Sequence, residues 1–239
     1  MKWFVLPLLG VFSALLIYAE GDLPDHGKLQ SPANIHVSDQ YIERSLRETH
    51  TPNIVTSVLA DYRGYDTLGE TVVILTAGLA VILILPMGNV PRIRSMRRRF
   101  ENTIVDGVSR LMVPFIQIFA LYVITHGHYG PGGGFEGGVV LAAGVMLLRL
   151  TLGEEYEHHR FPPQLAVALG TVGILIFAVT GLIPLATGGE FLDYAHLPIP
   201  GLHGPELRAT GTLIVEMGIG LAVGGSLVTL FDHLMQRGG

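Results

Sequence analysis

The chain has 239 residues, 15% of them charged, a formal net charge of −5 and no cysteine; its mean hydropathy is +0.48. Soluble domains carry about 25% charged residues, so this is a membrane composition. Without cysteine the chain offers no disulfide, thiolate zinc site or iron–sulfur ligand, and clustered basic residues on an acidic chain give nucleic-acid binding no support.

Trp3 to Ala19 is apolar behind Met1 and Lys2. A secretory signal has that layout, but Ile17 stands where cleavage needs a small residue, so a retained first span is expected. Glu20 to His50 is polar and reads as an external loop. Within it, Ser38–Glu48 has Tyr41, Ile42, Ser45 and Leu46 at the spacing of one helical face. Thr51 and Pro52 then resemble a helix start, and Ile54, Val55, Val58, Leu59 and Tyr62 follow at helical spacing, opposite Asn53, Ser57 and Asp61. Too short to span, this helix is expected at the membrane interface. Arg63-Gly64-Tyr65 turns the chain, and Thr67 with Glu70 forms a capping-box pattern ahead of a second span over Leu68–Met87.

Gly88–Glu101 holds five arginines, Arg92, Arg94, Arg97, Arg98 and Arg99, which mark a cytoplasmic loop. A third span covers Ile104–Thr125 with Pro114 inside. The turn His126–Phe135 leads to a fourth over Phe135–Leu150, Gly153–Arg160 is a short cytoplasmic loop, and a fifth span runs from Pro162 to about Pro184. Leu185–Glu206 is an external loop, and Leu207–Leu234 is the sixth span. The expected fold is therefore all-α and polytopic, with about six transmembrane helices and both termini cytoplasmic. Nine Lys and Arg fall inside in this topology against five outside. Three regions follow: 1–50, the first span and external loop; 51–100, the interfacial helix, second span and basic loop; and 101–239, a four-helix domain.

Glu216 lies near the middle of the sixth span, where an ionisable side chain is a functional candidate by default. Thr212 and Gly220 share its face, and Gly220 with Gly224 invites a close neighbouring helix. Two readings fit: an acid on a proton or ion path, or a structural acid bonded to the backbone of another helix. Asp66 and Glu70 are one turn apart, either as a negative mouth or as ordinary helix-start residues facing the dipole. Asp61 and Arg63 read as an interface pair, and Asp106 with Arg110 as a helix pair. His126 and His128 precede a glycine triplet that suits a tight buried turn, or free backbone groups at a half-helix end. No third ligand sits at a telling spacing, so neither a metal nor another cofactor is expected. Glu136 reads as a cap of the fourth span. No phosphate-binding or hydrolase motif is present.

Three stretches carry a family resemblance. TPNIVTSVLADYRGYDTLGETVVILTA resembles the end of the large A-type protein of Mrp-type multisubunit cation/proton antiporters, and is similar to a small subunit of membrane-bound hydrogenases. HGHYGPGGGFEGGVVLAAGVMLL and GPELRATGTLIVEMGIGLAV resemble the B-type protein (MnhB) of the same Mrp/Mnh antiporters. The resemblance implies a non-catalytic subunit without cofactors in a multi-pass prokaryotic cytoplasmic-membrane complex. Antiporter-like and small membrane subunits, lipid, sodium ions and protons are the implied partners. It places Asp66, Glu70 and Glu216 on the ion pathway, with Asp61, Glu136, His126 and His128 as further pathway or packing residues. The sequence departs from the pattern in joining the A-type and B-type segments, and in carrying Glu136 where a neutral residue is expected. The alternative is an ion-translocating membrane-arm subunit of a hydrogenase-like respiratory complex. A stand-alone channel would need more than one deep ionisable group, and an intramembrane metalloenzyme a bound metal.

Overall fold

A computed structural model describes residues 2–84, 103–152 and 161–235. Contacts divide the chain into two units, Met1–Arg44 and Ser45–Gly239. The first contains helix α1 (Lys2–Glu20) and two short π-helical turns, Ala33–Ser38 and Gln40–Arg44. The second contains α2 (Ser45–Thr49), α3 (Ile54–Thr56, continued as a π-helix to Tyr62), α4 (Gly64–Ile84), α5 (Thr103–His126), α6 (Gly134–Leu152), α7 (Pro163–Ala186) and α8 (Pro205–Met235). A single 3₁₀ turn, Tyr194–His196, lies between α7 and α8. No strand occurs among the described residues.

Five helices, α4 to α8, are long and apolar enough to cross a membrane, and α1 supplies a shorter apolar helix. These match the expected spans one for one. The basic loop at 88–101 and the loop at 153–160 lie outside the described residues.

Helix α8 is the hub of the second unit, packed against α7, α6 and α4. In lipid, apolar side chains gain little by turning inward, so close backbone approach through small residues drives association instead. A Cβ added to Gly138 of α6 would stand 2.8 Å from the Gly220 carbonyl. One on Gly225 of α8 would meet the backbone of Gly170 at 2.6 Å, and Gly173 lies equally tight against Gly218 and Ala222. The order of these contacts sets the directions. Residues 134, 138 and 149 of α6 meet 216, 220 and 232 of α8, so those helices run parallel. Gly170 and Gly173 meet Ser226 and Gly218, so α7 runs antiparallel.

The far end of the α6–α8 pair is closed by an ion pair between Arg149 and Asp232, whose side chains are 0% and 1% exposed. Arg149 also donates to the Phe161 carbonyl (3.0 Å) and lies over the Phe161 ring. In sequence this pair is inconspicuous, because Arg149 looks like a basic residue beside a loop.

Helix α3 turns its face in the opposite sense to a soluble amphipathic helix. Ser57 and Ala60 are wholly buried and Thr56 nearly so, while Val55 is 57% exposed. Hydrocarbon accepts the apolar face, and the small polar face packs inward. Its cap is Asn53, not Thr51: Asn53 accepts from the Val55 N–H at 3.0 Å, whereas Thr51 is buried against His128. The expected face of Tyr41, Ile42, Ser45 and Leu46 also breaks up, since Ser45 is buried but Ile42 and Leu46 are exposed. The capping box fails for a related reason. Helix α4 already starts at Gly64, so Thr67 is internal, and its hydroxyl donates to the Leu59 carbonyl at 2.6 Å.

Candidate functional site

The turn after α5 is where the sequence is richest in glycine, and it is compact. The N–H groups of both Gly127 and Gly133 donate to the Val123 carbonyl at 3.1 Å. Gly132 and Gly133 adopt φ of 147° and 137°, a region that favours glycine. A Cβ on Gly127 would collide with the backbone of Gly133 at 2.6 Å, so the two arms of the turn touch. Asn53 clamps the outside of the turn, donating to the carbonyls of Gly127 (2.8 Å) and Gly130 (2.7 Å), and Thr56 donates to Gly127 as well (2.7 Å).

This folding brings the first N–H of α6 into the protein interior, where it needs an acceptor. Glu216 of α8 supplies it: its carboxylate accepts from the Gly134 N–H. The helix is thus capped in trans by an acid from the helix beside it, at an end whose dipole favours negative charge. Glu136, expected as that cap, stands exposed in the first turn instead. Glu216 is only 7% exposed. It sits close in sequence to Gly218, which packs against Gly173 near the middle of α7, so the acid lies deep in the span.

Beside this contact is a cavity of about 260 Å³ lined by Glu70 of α4, Glu136 of α6 and Glu216 and Ile219 of α8, with Val55, Thr56, Leu59 and Thr67 above. Carboxylate oxygens of Glu136 and Glu216 both come within 3.4 Å of the point where a Cβ on Gly133 would stand. The lining holds three carboxylates and no basic side chain.

The remaining candidates go elsewhere. Asp66 lies in the first turn of α4, as a dipole partner should, but is exposed and held by Arg63 (2.6 Å). The expected Asp61–Arg63 pair does not form. Arg208 at the start of α8 instead donates to both carboxylate oxygens of Asp61 (3.0 and 2.5 Å). Burial raises the Asp61 pKa above the usual carboxylate range, despite Arg208. The Tyr194 hydroxyl donates to the Ala60 carbonyl (3.0 Å), which ties α3 to the loop before α8. His126 stacks on Tyr122. The His128 Nε2 stands 3.2 Å from the Thr51 hydroxyl, and burial lowers its pKa. Both histidines therefore act in packing here, and neither lines the cavity. Among the described residues no cluster of three metal-capable side chains occurs.

Residues 104–229 match the family model described as "Domain related to MnhB subunit of Na+/H+ antiporter". The chain belongs to this MnhB-related family. Residues 25–99 match a second model, MbhE, which describes a small protein of the MBH complex. An antiporter protein named mnhB2 from Staphylococcus haemolyticus is 33% identical to this MnhB-related chain over 138 residues, which is 54% of the chain and 92% of the relative. A probable K(+)/H(+) antiporter protein of the fused A/B type from Rhizobium meliloti is 26% identical over 84% of the chain, which spans only 22% of that polypeptide. Among solved structures, a chain of the archaeal membrane-bound sulfane sulfur reductase complex matches 98% of the chain and 99% of its own length, at 30% identity and TM-score 0.67. The Mrp complex of Dietzia sp. DQ12-45-1b matches at TM-score 0.65 and 28% identity, over 98% of this chain and 25% of its own.

Proposed function

We propose that this MnhB-related chain is a non-catalytic subunit of a multisubunit cation/proton antiporter complex, and that the Glu70–Glu136–Glu216 cavity forms part of its ion path. The observation that carries the proposal is Glu216 itself. A carboxylate buried at mid-span is costly, by about 3 kcal/mol or more, and structure alone did not demand one, because a neutral acceptor could cap Gly134. Glu70 and Glu136 extend the acidic lining towards the side of the bundle. Sodium ions and protons are the proposed cargo, and the prokaryotic cytoplasmic membrane the proposed site. The arginines at 92–99 favour both termini on the cytoplasmic side.

A second reading is supported by one observation. The archaeal reductase chain matches this one nearly end to end, including the joined A-type and B-type segments. That arrangement favours a membrane arm driven by a redox partner over a stand-alone antiporter. Purifying the tagged chain from its native membrane in mild detergent and identifying the co-purifying subunits by mass spectrometry tests both. Antiporter-like membrane subunits alone support the first reading, and additional metal-carrying redox subunits support the second. Recovery without any membrane partner contradicts both.

A further inference from the structure

Glu70 and Glu136 share an unusual position. Both are exposed, yet both line a cavity level with Glu216, which lies near the middle of α7. Neither makes a hydrogen bond or ion pair among the described residues, whereas Asp61, Asp66 and Asp232 each have an arginine. At this depth the exposed side of a span meets either hydrocarbon or protein, and a bare carboxylate against hydrocarbon is unfavourable by several kcal/mol. Their apolar neighbours one turn on, Val73 and Val139, are 64% and 50% exposed, so the uncovered surface continues along both helices.

We propose that the open side of the cavity, between Glu70 on α4 and Glu136 on α6, is covered in the assembled complex by a transmembrane helix of another subunit that brings a lysine or arginine to this depth. Charge complementarity identifies the occupant. Three carboxylates face the cavity with no cation among its lining residues, and buried charge in membranes is normally paired. Helix α1 of this chain does not meet the requirement, since it has no ionisable side chain between Trp3 and Ile17 and only the Tyr18 phenol beyond. A lipid acyl chain cannot meet it either. The inference rests on the proposed membership of a multisubunit complex, and the two fail separately: subunits can co-purify while this face remains bare.

The absence of cysteine allows a direct test in the intact complex. Val73→Cys and Val139→Cys, labelled with nitroxides, are expected to show several-fold lower oxygen accessibility than Val172→Cys, an exposed position on α7. A photo-crosslinking residue at Val139 is expected to capture a partner span carrying a lysine or arginine. Full oxygen accessibility at both sites overturns the proposal. So does capture of lipid alone, of α1, or of a partner span with no basic residue.

Discussion

Replacing Asp232 by asparagine puts the packing argument to a quantitative test. The Arg149 guanidinium is completely enclosed, and its carboxylate partner is 1% exposed. Removing one charge leaves the other buried without compensation, which costs about 3–5 kcal/mol. At about 2–4 °C per kcal/mol for a domain of this size, the melting midpoint should fall by about 10 °C. Replacing both residues, as Arg149→Met with Asp232→Leu, removes the desolvation penalty together with the attraction. Such exchanges are often neutral or stabilising. One loss persists, the hydrogen bond to the Phe161 carbonyl, worth about 1 kcal/mol. The double variant should therefore recover most of the midpoint. The assay is thermal challenge of the detergent-purified complex followed by fluorescence-detected size exclusion. A single variant within about 1 kcal/mol of wild type, or a double variant less stable than the single, refutes the reasoning.

Gly138→Val should separate α6 from α8, because the new side chain meets the Gly220 carbonyl and Val223; reduced recovery of assembled protein checks it, and Gly107→Val, in open space on α5, should be tolerated. Burial holds the His128 pKa below its ordinary 6.5, so the unfolded chain binds this proton at a higher pH than the folded one. Stability should thus be lost as pH falls below 6.5, and melting curves of His128→Gln should lack that part of the slope. Asp61→Asn should weaken the tie between α3 and α8 by leaving Arg208 without its bidentate partner; faster hydrogen exchange over 54–62 is the expected readout, and unchanged exchange contradicts it.

The spans were legible because continuous apolar runs bounded by Pro, Gly and charge have few other uses in a chain of this composition. Glu216 was legible too, since an acid inside such a run is conspicuous. What the run could not reveal was its partner. The acceptor-seeking Gly134 N–H becomes visible only when the glycine turn folds inward and carries a helix start to mid-depth. Asp232 escapes notice because a charge near the end of a span reads as lying at the interface, whereas the extra length of α8 keeps it inside. Helix α3 departs from its sequence pattern at its ends and in its orientation. Capping patterns and amphipathic faces are calibrated on water, and here the small polar side is the packed one. Asp61 and Arg63, two residues apart, look like partners, although Asp61 pairs across the fold with Arg208 and Arg63 with Asp66.

Cation-dependent proton movement in inverted membrane vesicles, with wild-type complex and with Glu216→Gln at matched levels of assembled complex, tests the central claim most directly. The amide oxygen can still accept from Gly134, so the fold should stand while the ionisable group is gone. Assembly at wild-type levels with transport lost is the predicted result. Wild-type transport by the Glu216→Gln complex would contradict a role for this cavity in the ion path.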